Sequence, residues 1–138
     1  MTLPAFFTKS GKPLKIGTGT GTSWQWLKKG RPEAEQNEPL QELVDQIATS
    51  LQNGFRHIDT AEQYTTHPEV AAGIKKSGIP REDIWLTTKY APGFLNIPAP
   101  SKSPAESIDK ALKELETDYL DLYLIHAPWL RLDLLHGY

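Results

Sequence analysis

Four polar side chains stand directly after apolar runs and could together move a proton. In "GFRHIDTAEQY", residues 54–64, Asp59 closes a short strand-like run and Tyr64 lies in the turn beyond it. Lys89 closes "DIWLTTK" and His126 closes "YLDLYLIH". A phenol with an ordinary pKa of about 10 is a poor proton donor at neutral pH unless it is helped. An adjacent ammonium is expected to favour the phenolate and so lower that pKa. A carboxylate beside Lys89 holds the ammonium in place, and His126 can hydrogen-bond a substrate carbonyl oxygen. Tyr64 would then protonate that oxygen as negative charge develops on it. No nucleophile with a base beside it is evident, so carbonyl reduction by an external hydride donor fits better than hydrolysis.

Each residue alone also has a plain structural reading. Asp59 followed by Thr60 caps a turn, Tyr64 packs, Lys89 is a solvated charge and His126 is a satisfied core histidine. His57 and Asp59 alternate to the same side of a strand with no third ligand evident, so the expectation for a metal is none. "GTGTGT" lacks the GxGxxG spacing, and no helix is expected to open directly after it, so it is a weak phosphate fingerprint. Trp24 and Trp26 line a ligand pocket or cover a rim.

The elements that must position these groups follow from periodicity. "TKSGKPLKI" reads as a hairpin around Ser10-Gly11, and "PLKIGTGTGTSW" as a strand breaking into a Gly/Thr loop. "KKGRPEAEQNEP" reads as an exposed loop. Leu40, Leu43, Val44, Ile47, Ala48 and Leu51 follow the helical template, with Asn37 as the expected N-cap and Asn53-Gly54 as the stop. "FRHID" is a strand. A second helix starts near His67-Pro68, turns Val70 and Ile74 inward and ends at Ser77-Gly78. "DIWLTTK" is a strand covered on both faces, and the proline-rich "YAPGFLNIPAP" is a loop. Ser103 to Glu106 forms a capping box for a third helix that buries Ile108, Ala111, Leu112 and Leu115. "YLDLYLIH" is an apolar fourth strand. This alternation implies an α/β fold with a parallel sheet, whose C-terminal strand ends share one face. Asp59, Tyr64, Lys89 and His126 therefore converge.

Composition narrows the class. The 138 residues carry a formal net charge of −2, which gives no footprint for nucleic acid or an acidic membrane. There is no cysteine, so disulfides and thiolate metal sites are excluded. No apolar run approaches the roughly 20 residues of a membrane span. The N-terminus lacks the pattern of a secretory signal, and the expected location is cytoplasmic.

Taken together, "GFRHIDTAEQY", "DIWLTTK" and "TDYLDLYLIHAP" resemble the aldo-keto reductases, in family order and spacing, from about Pro13 to Pro128. The resemblance implies a parallel (β/α)8 TIM barrel, of which residues 1–138 would form the N-terminal half: a hairpin and strands one to four with three helices. A whole barrel needs roughly 250 residues, so the chain reads as truncated, with 129–138 as a non-family tail. It implies Asp59, Tyr64, Lys89 and His126 as catalytic tetrad and NADPH (NADP) as cofactor, bound without a Rossmann fold. Thr20, Gly21, Thr22 and Asp59 would lie near the nicotinamide, and Trp24 and His126 would wall the substrate pocket. "GTGTSW", "YTTHPEV" and "HAP" are similar to the fungal α-keto amide and conjugated polyketone reductases, with His67-Pro68-Glu69 and Ala127 where many relatives have Asn-Glu and Trp. The implied substrates are small-molecule carbonyl compounds: 2-oxo amides, 2-oxo lactones or diketones. Family members are mostly monomeric or dimeric, and open sheet edges would make this chain self-associate. The family's second half, which carries most cofactor contacts, would be missing, so the chain is expected to bind NADPH weakly and be inactive alone. The alternative reading is a non-catalytic interaction module, in the manner of proteins resembling potassium-channel β subunits, or a non-functional fragment.

Overall fold

A computed structural model describes residues 5–93 and 97–127. The tail at 129–138 lies outside these described residues.

Four parallel strands run in sequence order, β1 (Gly17–Gly19), β2 (His57–Asp59), β3 (Trp85–Tyr90) and β4 (Leu122–Ile125). Parallel neighbours require a crossover, and helices supply it. α2 (Gln41–Gln52) lies between β1 and β2, α3 (His67–Ser77) between β2 and β3, and α4 (Pro104–Glu114) between β3 and β4. Register pairs Gly19 with Asp59, Asp59 with Thr87, and Lys89 with Leu124. The sheet is the parallel α/β arrangement expected, with shorter strands: "FRHID" contributes only its last three residues.

Alternation decides which side chains meet the helices. Ile58 and Leu86 face them and are fully buried, with Leu43, Ile47 and Leu51 of α2, Val70 of α3, and Ala111 and Leu115 beside α4. Ile108 and Leu112, expected in this core, are only half-buried, because α4 turns Ser107 and Ala111 toward the sheet instead. α2 and α3 pack closely at Gly73, where a Cβ would meet Ile47 Cβ at 2.7 Å. On the opposite, helix-free face lie His57, Asp59, Thr87, Lys89, Leu122 and Leu124 by register.

Two further differences have tertiary causes. A helix not expected from the sequence, α1 (Ser23–Lys29), opens directly after the Gly/Thr loop. α2 begins two residues after Pro39, and Asn37 does not cap it. The Leu40 N–H is instead held by the buried Glu69 carboxylate at 3.1 Å. β4 is exposed at Leu122, Leu124 and Ile125, as expected of an open sheet edge. Other signals hold. Gly54 and Gly78 adopt positive φ at the ends of α2 and α3. Ser103 Oγ accepts the Glu106 N–H at 3.2 Å, while Glu106 reaches back to the Lys102 N–H. The hairpin appears as a Phe7–Pro13 bridge, anchored by Ser10 N–H donating to Glu82 O and by Phe6 edge-on to Trp85. No helix among the described residues is long and apolar enough to cross a membrane.

Candidate active site

The C-terminal ends of β2, β3 and β4 and the turn after β2 deliver one side chain each. Lys89, next to last in β3, donates from Nζ to Asp59 Oδ1 at 2.6 Å and to Thr60 O at 2.8 Å. Tyr64 ends a 3₁₀ turn, Glu62–Tyr64. Its hydroxyl lies 3.3 Å from His126 Nε2, with the rings edge-on and centroids 5.3 Å apart. His126 follows β4 and extends the strand pairing, its N–H donating to Tyr90 O at 2.8 Å. Lys89 Nζ stands 5.3 Å from the centre of the Tyr64 ring. The four residues singled out from sequence thus form one cluster.

Its electrostatics differ from the expectation in one respect. Burial, and secondly the Asp59 charge, push the Tyr64 phenol up from its ordinary pKa rather than down. The reason is geometric: the Lys89 donors are directed to Asp59 and the Thr60 carbonyl, not to the phenol oxygen. Burial, and secondly the Lys89 charge, hold the His126 imidazole below its usual range. Near neutral pH the pair is therefore a protonated phenol against a neutral imidazole. Which of the two donates depends on the imidazole tautomer.

Beneath the cluster runs a buried hydroxyl chain. Thr66 Oγ1 donates to Thr20 Oγ1 at 2.9 Å, and Thr20 Oγ1 to Thr60 Oγ1 at 2.8 Å. Thr20, expected beside a nicotinamide, is wholly buried and spends its hydroxyl here, so it fixes the loop instead of facing a cavity. The next residue must be small: a Cβ on Gly21 would lie 2.8 Å from Tyr64 Cζ. Thr22 follows at φ 46°, a strained value for a β-branched residue.

Two cavities flank the Tyr64–His126 contact. One, of about 290 Å³, is lined by Gly21, Thr22, Trp24, Asp59 and Tyr64. The other, of about 320 Å³, is lined by Gln25, Trp26, Lys29, Gln63, Ile97 and His126, among others. Trp24 was expected to share a pocket wall with His126, but Trp24 borders the Tyr64 cavity and Trp26 the His126 one. Trp26 was read as a pocket or rim residue and lines this cavity, whereas Gln25 and Lys29 escaped the sequence reading because their helix did. Its anchor is tertiary: Lys28 Nζ is buried against Glu69 Oε1 at 2.6 Å. The departure at His67-Pro68-Glu69 is structural as well. His67 bridges Glu114 Oε2 and Thr88 Oγ1, each at 2.9 Å, and so braces the strand that carries Lys89.

The Aldo/keto reductase family model matches residues 15–136. The chain belongs to that family. Among its relatives is the NADPH-dependent alpha-keto amide reductase of Saccharomyces cerevisiae, 42% identical over 126 residues, or 90% of this chain and 38% of the yeast protein. An aldo/keto reductase from Brucella melitensis is similar in structure, with a TM-score of 0.62 and 35% identity, covering 98% of this chain and 45% of that one. The Bombyx mori aldo-keto reductase solved in complex with NADP gives 0.60 and 27%, covering 93% and 39%. This aldo-keto reductase chain thus spans less than half the length of these relatives. Members of the family are oxidoreductases acting on carbonyl groups, and the four parallel strands with their helices correspond to part of the family's TIM barrel.

Proposed function

We propose that the chain carries the proton-delivery half of an NADPH-dependent reductase of small aldehydes and ketones, with 2-oxo amides, 2-oxo lactones and diketones as the favoured class. The observation that carries this reading is the single cluster made by Tyr64, His126 and the Lys89–Asp59 pair. The alpha-keto amide reductase named above supports the substrate class, and the NADP-bound neighbour supports the cofactor.

The residues present fit the nicotinamide end of such a cofactor. The cavity beside Tyr64 is near the lower size limit of small-molecule sites, with Thr22 and Asp59 as polar groups and Trp24 as an apolar wall. When bound, the cofactor supplies a hydride to the carbonyl carbon. His126 hydrogen-bonds the carbonyl oxygen and orients it toward Tyr64. The Tyr64 hydroxyl keeps its proton until that oxygen gains negative charge, then donates it to the more basic alkoxide. Lys89 steadies the phenolate left behind, and Asp59 holds Lys89 where that charge is useful.

The test is NADPH oxidation by the full chain with a 2-oxo amide. Tyr64→Phe should lower kcat by roughly 10²–10⁴ with little change in KM. Undiminished turnover in that variant overturns the reading. A binding role in place of catalysis draws on the exposed apolar β4, and is favoured by a specific stoichiometric partner recovered with the chain.

A further inference from the structure

The cavity that His126 lines is mostly apolar, with Trp26, Pro92, Ile97 and Ala127 in its wall. Lys29 is the one lysine or carboxylate among its lining residues. Its surroundings differ from those of the other two well-covered amines. Lys28 and Lys89 each have a carboxylate oxygen at 2.6 Å. Lys29 has only neutral partners: Nζ donates to Gln63 O at 2.6 Å and to Gln25 Oε1 at 3.2 Å, and stands 5.5 Å from the Trp26 ring centre. An ammonium has three donors, so one has no protein acceptor among the described residues. Covering a charge without a counter-charge is costly, and burial lowers the Lys29 pKa accordingly. Position adds to the argument. Gln63 precedes Tyr64 in the same 3₁₀ turn, so the ammonium is tethered to the turn that bears the proposed acid.

Resting on the reductase reading, we propose that Lys29 is a specificity-determining residue that selects carbonyl substrates bearing a carboxylate, whose oxygen takes its remaining donor. The carbonyl end then lies toward His126, the chain of the substrate against Trp26 and Ile97, and the anionic end on Lys29. A carboxylate placed away from the reacting carbonyl should therefore raise affinity above that of the uncharged counterpart of equal size, whether the carbonyl belongs to a 2-oxo amide, a diketone or an aldehyde.

The experiment compares 4-formylbenzoate with its uncharged methyl ester. Binding of each to the full chain is measured by calorimetry, and NADPH oxidation is followed in parallel. The carboxylate should bind roughly tenfold tighter than the ester, the scale of one charge-assisted hydrogen bond at a half-covered site. Lys29→Gln should erase that ratio, and Lys29→Arg should keep it. In the unmodified chain the ratio should shrink at high salt, a readout independent of whether Lys29→Gln folds. Equal affinities in the unmodified chain, a ratio insensitive to salt, or a ratio that persists in a folded Lys29→Gln protein overturn the proposal. Undiminished NADPH oxidation by Tyr64→Phe sinks the reductase reading alone, because carboxylate preference in binding still assigns Lys29 its ligand.

Discussion

Two histidines on the helix-free side of the sheet are held neutral by their surroundings, and pH dependence follows. Burial lowers the pKa of His57 and of His126 below the ordinary value of 6.5. The Asp59 charge opposes the shift in both, and the Lys89 charge adds to it in both. Between the depressed folded values and 6.5 the unfolded chain binds more protons than the folded one, so stability rises with pH. Their contribution is complete above about pH 6.5 and is lost as pH falls below it. The urea midpoint should therefore drop between pH 7.5 and pH 5, and His57→Asn should flatten that slope. A midpoint equal at both pH values would contradict the assignment. At this scale the site was largely legible. Asp59, Lys89 and His126 each follow an apolar run, and a run's end is readable from one sequence. The direction of the Tyr64 shift was not, because it depends on where the Lys89 ammonium points. Lys29 was not legible either, since nothing local marks a lysine that faces a cavity.

At the scale of elements, the contact between α2 and α3 offers a test in which two effects compete. Replacing Gly73 with Ala gains about 1 kcal/mol of helix propensity. The added Cβ would meet Ile47 Cβ and Cγ2 at 2.7 Å and the Val44 carbonyl oxygen at 3.1 Å. Those atoms belong to a β-branched side chain and a helix backbone, which yield poorly, and overpacking of this kind costs about 1–3 kcal/mol. Overpacking should win, with Gly73→Ala lowering the unfolding free energy by up to about 2 kcal/mol in denaturant titration. A raised midpoint would show that the helices separate freely. The same tertiary dominance explains which helices were readable. α2, α3 and α4 advertise themselves by caps, stops and apolar spacing. α1 inverts the usual pattern, exposing Trp26 and Leu27 while burying Lys28. Its partner Glu69 lies 41 residues further along, and no window over α1 contains it. Glu69 likewise sets the start of α2, and so Asn37 misled as a cap.

For the whole molecule, the sheet ends at β1 and β4 among the described residues, and the two edges differ. β4 exposes Leu122, Leu124 and Ile125, with Ile125 at 64%. An unpaired apolar strand is a template for pairing with another copy. The chain should therefore associate as its concentration rises, by light scattering, and Ile125→Lys should reduce that association. A monomer across two decades of concentration would refute this. That β4 is an apolar strand at an open edge was legible, because its apolar run marks the strand and the alternation of elements gives its place in the sheet.

The register of the strands has a consequence for how the site comes into being. Every strand pairing spans an intervening helix, so none of the sheet can form from local contacts. The chain must close a long loop before each ladder stabilises it, which slows folding relative to a helical bundle. Tyr64 and His126 stand 62 residues apart, and His126 directly follows β4, the last strand among the described residues. During synthesis the phenol, the ammonium and their carboxylate leave the ribosome first and wait. The imidazole of the Tyr64–His126 contact arrives only when β4 docks, so the proposed proton relay comes together after its other three groups are in place.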